Sequence, residues 1–140
     1  MHPFHVALVI YAALALIGFA FVLRWERRHF SAKGLGGSWL RVRLTSIPAL
    51  LVTAALVVLP ARGSSGMEGL ALFYGLLIVA APLLWFGMHW AVGRMMQPPL
   101  AFGDSALVAG SPLLYALAAA SVAHPLQSLA WSLLRSLGLA

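Results

Sequence analysis

From Phe4 to Leu23 the chain runs for twenty residues without a charged side chain. A helix of that length, rising about 1.5 Å per residue, crosses the roughly 30 Å hydrocarbon core of a bilayer. Leu44–Pro60, Gly69–Val92 and the region after Asp104 repeat the pattern. Lipid offers no water to backbone N–H and C=O groups, so these stretches must pair their own, as helices do. Composition points the same way. Only 9% of the 140 residues are charged, against about 25% in a soluble domain, too few to cover a water-facing surface. The expected fold is all-α: one membrane domain over residues 1–140, with four transmembrane helices in an up-down bundle.

The sequence predicts helices over 4–23, 44–60, 69–92 and 105–123. Pro48 falls in a first turn, where it costs little, and Pro60 closes the second helix. Pro82 predicts a kink in the third. The fourth helix has two possible registers, 105–123 and 112–134. Asp104 as an N-terminal cap and Pro125 as a breaker favour the first. Residues 126–139 then set Leu126, Leu129, Leu133, Leu134 and Leu137 on one face, which predicts an amphipathic interfacial helix anchored by Trp131. In the first helix Ala12, Ala15 and Gly18 form a strip of small residues of the kind that lets helices approach closely.

Of the nine Lys and Arg residues, six lie between positions 24 and 43: Arg24, Arg27, Arg28, Lys33, Arg41 and Arg43. Trp25 and Trp39 flank this run and suit the headgroup level. Gly34, Gly36 and Gly37 predict a flexible turn within it. Arg94 falls on the same side, while Arg62 and Arg135 fall on the other. The positive-inside bias then puts both termini on the outer (periplasmic) side of a bacterial cytoplasmic (inner) membrane. The first apolar run has no positive n-region and no small-residue cleavage site, so it reads as a retained helix. The six basic residues are the expected contacts for membrane lipids or an acidic neighbouring subunit. Nucleic acid is set aside, because the cations sit beside apolar runs without interleaved stacking aromatics.

Candidates for chemistry are few. The chain has no cysteine, which excludes disulfides, thiolate metal sites and Cys nucleophiles. His5 with His124, and His29 with His89, come from different helices, as bis-imidazole ligation of haem b requires. His2, His5 and His124 share a side, but no carboxylate lies near them in sequence, and no metal site is predicted. Glu26 reads as a surface partner of its neighbouring arginines. Glu68 and Asp104 suit helix N-termini. An ion-coupled transporter normally carries an ionisable residue near the membrane midplane, and none is evident here. A Ser/His/Asp hydrolase reading fails for want of an acid near a histidine. Size and layout resemble glutathione-using membrane enzymes and four-helix haem proteins, but the Glu/Arg/Asn signature of the former is missing.

The functional expectation is a non-catalytic accessory subunit of a larger inner-membrane complex, of the respiratory or photosynthetic electron-transfer kind, with other membrane subunits as partners and no cofactor of its own. The alternatives are a small b-type cytochrome or quinone-site protein using the four histidines, and a small oligomeric transporter or channel.

Overall fold

The computed structural model describes residues 3–63 and 65–138, and among these there is no strand. Six α-helices follow in order: α1 (Pro3–Ala32), α2 (Gly36–Leu44), α3 (Ser46–Arg62), α4 (Gly66–Gly75), α5 (Ala81–Met95) and α6 (Phe102–Ser136). A π-helical stretch, Leu76–Ala80, joins α4 to α5. Four helical spans are long and apolar enough to cross a membrane: Phe4–Ala32, Gly36–Pro60, Gly66–Met95 and Phe102–Ser136. Among the described residues the fold is therefore all-helical, and its four apolar spans are compatible with a multi-pass membrane protein.

Three departures from unbroken helix have a local cause. Gly34 adopts a left-handed φ of +71°, a conformation that favours glycine. Its amide bonds Ser31 O at 3.1 Å, and the Leu35 amide bonds Phe30 O at 2.8 Å. Those two bonds make the Schellman closure of α1. Helix resumes at Gly36, so the expected flexible loop is reduced to a tight turn and most of the basic run is helical. The gap between α2 and α3 lies at Thr45. Pro48 has no amide to give the Leu44 carbonyl four residues earlier, which weakens the helix there. Pro82 likewise cannot bond Ile78 O, and Ile78 lies inside the π-helical stretch. The distortion expected from Pro82 is thus spread over the preceding turn.

The fourth span differs most from the sequence expectation. α6 is one helix of 35 residues running through both Pro112 and Pro125. Pro125 does not end it, and residues 126–136 are its last turns rather than a separate interfacial helix. Proline is tolerated in membrane helices where other groups satisfy the carbonyls it strands. Because α6 begins at Phe102, Asp104 stands in its first turn rather than at the cap.

The helices distribute over two compact units, residues 1–26 with 111–140, and residues 27–110. In the first unit, Val6, Val22 and Ala123 are buried. The Tyr115 hydroxyl donates to Leu14 O at 2.5 Å. The Tyr115 ring fills the space where a side chain at Gly18 would stand. Of the small-residue strip, only Gly18 is buried, while Ala12 and Ala15 are exposed. In the second unit α3 packs against α5 and α4, and α2 packs against α3 and α5. Its core includes Phe30, Trp39, Val42, Ala49, Leu100, Val108 and His89.

Candidate functional site

The second unit holds a connected polar cluster in an apolar surround. Arg43 comes from the last turn of α2 and is buried. Ser46 opens α3, Trp85 and His89 lie one turn apart on α5, and Val108 and Ala109 lie on α6. One Arg43 nitrogen, Nη2, donates to Val108 O at 2.7 Å. The other, Nη1, donates to Ser46 Oγ at 3.2 Å. Ser46 Oγ lies 2.9 Å from His89 Nε2. His89 Nδ1 lies 2.7 Å from Trp85 O. The Trp85 indole N–H donates to Ala109 O at 2.8 Å.

The proton positions follow from the partners. A carbonyl can only accept, so His89 Nδ1 carries the hydrogen. In the neutral ring Nε2 is then the acceptor, and the Ser46 hydroxyl donates to it. Ser46 Oγ retains lone pairs for the Arg43 N–H. With His89 neutral, donation runs in one direction, from Arg43 to Ser46 to His89 to the Trp85 carbonyl.

Proline chemistry accounts for the position of the Arg43 charge. In a regular helix the Val108 carbonyl would receive the amide of residue 112, but residue 112 is proline and has none. Arg43 supplies a donor at that carbonyl. Burying a guanidinium is costly unless its donors are satisfied, and here a helix acceptor and a hydroxyl take two of them.

A second polar contact joins the ends of the first unit. Ser111 donates to Glu26 Oε1. Glu26 is fully buried, so it is not the surface partner that its arginine neighbours suggested. Val22, Glu26 and Phe30 repeat every four residues and are all buried, which puts Glu26 on the inward stripe of α1.

The expected site residues separate by environment. His5 and His124 are exposed, and the His5 ring meets Phe4 edge-on at 6.0 Å. His29 is half-buried and packs edge-on against Phe30 at 5.2 Å. His89 has both ring nitrogens in hydrogen bonds, so an iron at Nε2 would have to displace Ser46. His2 lies outside the described residues. Among the described residues no three His, Asp or Glu side chains gather as a metal would need.

The six basic candidates also divide. Arg24, Arg27, Arg28 and Arg41 are exposed. Lys33 pairs with Asp104 at 2.6 Å, and Arg43 is buried in the cluster. Trp25 is 44% exposed, while Trp39 is buried and stacks on Phe30 with ring centroids 6.5 Å apart.

Sequence reasoning missed Ser46, Trp85 and Val108 as partners of Arg43 and His89. One local signal existed: a proline in a predicted membrane helix strands the carbonyl four residues before it, and an arginine elsewhere is a natural donor. The pairing of Ser46 with His89 has no counterpart in local periodicity. The cluster can lock helices in register. Ser46 and His89 also have the hydroxyl–imidazole geometry of a nucleophile and its base, with the Trp85 carbonyl where a carboxylate would stand. No protein-family model, curated protein or solved structure matches this chain.

Proposed function

We propose that this chain is a non-catalytic accessory subunit of a larger membrane assembly. The observation that carries the reading is the exposure of its third span. In Gly66–Met95, 6% of the most apolar stretch is buried within the chain, against 28% for Gly36–Pro60. Leu70, Tyr74, Ile78, Val79, Leu83 and Phe86 stand outward from it. A helix apolar on every side faces lipid or other protein. The internal polar groups described above meanwhile tie helices together: Arg43, Ser46 and His89 bond one another and neighbouring backbone, and Ser111 bonds Glu26. A protein of this design gives a partner apolar surface on helices held by internal hydrogen bonds.

The membrane we propose is the bacterial cytoplasmic membrane, with the basic segment inside and both termini outside. Arg24, Arg27, Arg28, Lys33, Arg41 and Arg43 against Arg62 and Arg135 support that orientation. α6, at about 1.5 Å per residue, is about 52 Å long and exceeds the hydrocarbon core. We therefore infer that its last turns, from Leu126 to Ser136, reach the outer interface. Because the chain has no cysteine, single cysteines introduced at Gly37 and Ser65 report sidedness. A membrane-impermeant thiol reagent applied to intact cells should label Ser65→Cys and spare Gly37→Cys. The reverse labelling overturns the orientation.

The assembly reading is tested by gentle extraction from the native membrane, followed by identification of every protein that elutes with the tagged chain. Defined companions at reproducible stoichiometry are expected. An absorbance spectrum of the same sample tests for haem. A Soret band that stays with this chain after companions are stripped away would replace the accessory reading with a cytochrome one.

A further inference from the structure

The end of α1 carries a feature that the accessory reading does not use. Arg24, Arg27 and Arg28 are exposed, and at 100° per residue they fall within about 100° of one another on the helix. α1 is one helix from Pro3 to Ala32, so its own geometry sets their spacing. The opposite face is the buried stripe of Val22, Glu26 and Phe30. Glu26, the nearest carboxylate in sequence, is thereby turned away, and its Oε1 is bonded by Ser111. Lys33 differs, since Asp104 neutralises it. None of the three arginine side chains makes a hydrogen bond or ion pair with another described residue.

Below the arginines the same face becomes apolar. Phe21 and Ile17 lie within about 60° of Arg24 on the helix and within about 11 Å along its axis, and they are 65% and 66% exposed. Trp25, beside the triad, is 44% exposed and suits the headgroup level. We propose that this face of α1 binds an anionic phospholipid. Arg24, Arg27 and Arg28 hold the phosphate through guanidinium N–H groups, and Ile17 and Phe21 lie along an acyl chain. The juxtaposition of a phosphate-binding cluster with an exposed apolar stripe on one helix matches an amphiphile. An acidic soluble protein would leave the stripe without a partner.

The full-length protein in mild detergent is titrated with phosphatidylglycerol, phosphatidylcholine of the same chains, and glycerophosphate, and bound species are counted by native mass spectrometry. Phosphatidylglycerol should be retained in preference to phosphatidylcholine, and glycerophosphate should not displace it. One surface arginine contributes a factor of about five to anionic-lipid affinity, so the triple variant Arg24→Gln/Arg27→Gln/Arg28→Gln should lose about a hundredfold. The matched variant Arg62→Gln/Arg94→Gln/Arg135→Gln should keep the preference. Glutamine is a good helix former, so these exposed sites should tolerate it. Should the triple variant misfold, the single Arg27→Gln and Arg28→Gln variants, and salt titration of the unmodified protein, give the same reading: retention falls with each lost charge and with ionic strength. Undiminished retention by the triple variant overturns the proposal. So does equal competition by glycerophosphate, which would indicate a free-phosphate site. Loss of a companion protein with unchanged lipid retention also overturns it, in favour of a protein contact.

Discussion

The Arg43 guanidinium donates at 2.7 Å to the Val108 carbonyl, the acceptor that Pro112 leaves without its helical amide. A side chain from α2 thus repairs a break in the hydrogen bonding of α6. The relationship is conditional, because Arg43 matters there to the extent that residue 112 lacks an N–H. Arg43→Leu should destabilise the protein by about 1.5–3 kcal/mol, the usual worth of a hydrogen bond to a charged group. Pro112→Ala restores an amide to Val108 O. In that background the cost of Arg43→Leu should fall by about 1 kcal/mol. A double-mutant cycle on unfolding in mixed micelles measures the coupling. Equal costs in both backgrounds would show that Pro112 and Arg43 act independently.

His89 is the second member of the same cluster to test. Ser46→Ala removes the donor to Nε2 and should cost about 0.5–1.5 kcal/mol. His89→Ala also leaves a cavity in a fully buried site and should cost about 2–4 kcal/mol. The two losses should be sub-additive, since both remove the 2.9 Å contact. Strict additivity in the same unfolding assay would mean that the contact contributes nothing.

Gly18 and Tyr115 offer a steric test. A Cβ at position 18 would overlap the Tyr115 ring. Gly18→Val should therefore destabilise by about 1–3 kcal/mol. Tyr115→Ala should relieve the clash even though it sacrifices the hydroxyl bond to Leu14 O. The double variant should thus be more stable than the two single losses predict. If Gly18→Val costs the same whether residue 115 is Tyr or Ala, the close approach is absent.

The four spans were legible because uninterrupted apolar length is a strong local signal, and Phe4–Leu23 and Gly69–Val92 show it without ambiguity. What the sequence obscured depended on partners distant along the chain. Glu26 reads as a surface residue by its arginine neighbours, yet it is buried. The four-residue recurrence of Val22, Glu26 and Phe30 was the available clue. Gly34, Gly36 and Gly37 look equivalent as helix breakers, but only Gly34 has a positive φ and only it closes a helix. Pro125 looked like a terminator by rules for helices in water, whereas α6 continues through it. The basic candidates looked alike until burial set Arg43 apart and Asp104 claimed Lys33. The Ser46–His89 contact joins residues 43 positions apart, and no periodic pattern encodes such a pairing.

The mass of the native particle decides whether this chain works as part of a larger membrane assembly. The tagged protein, extracted in mild detergent from its own membrane, is sized by native electrophoresis, and its companions are identified by mass spectrometry. A discrete particle well above the 14.9 kDa chain is expected, holding the same companion proteins in fixed ratio across preparations. A lone chain, or copies of this chain alone, running free of companions from its own membrane would contradict it.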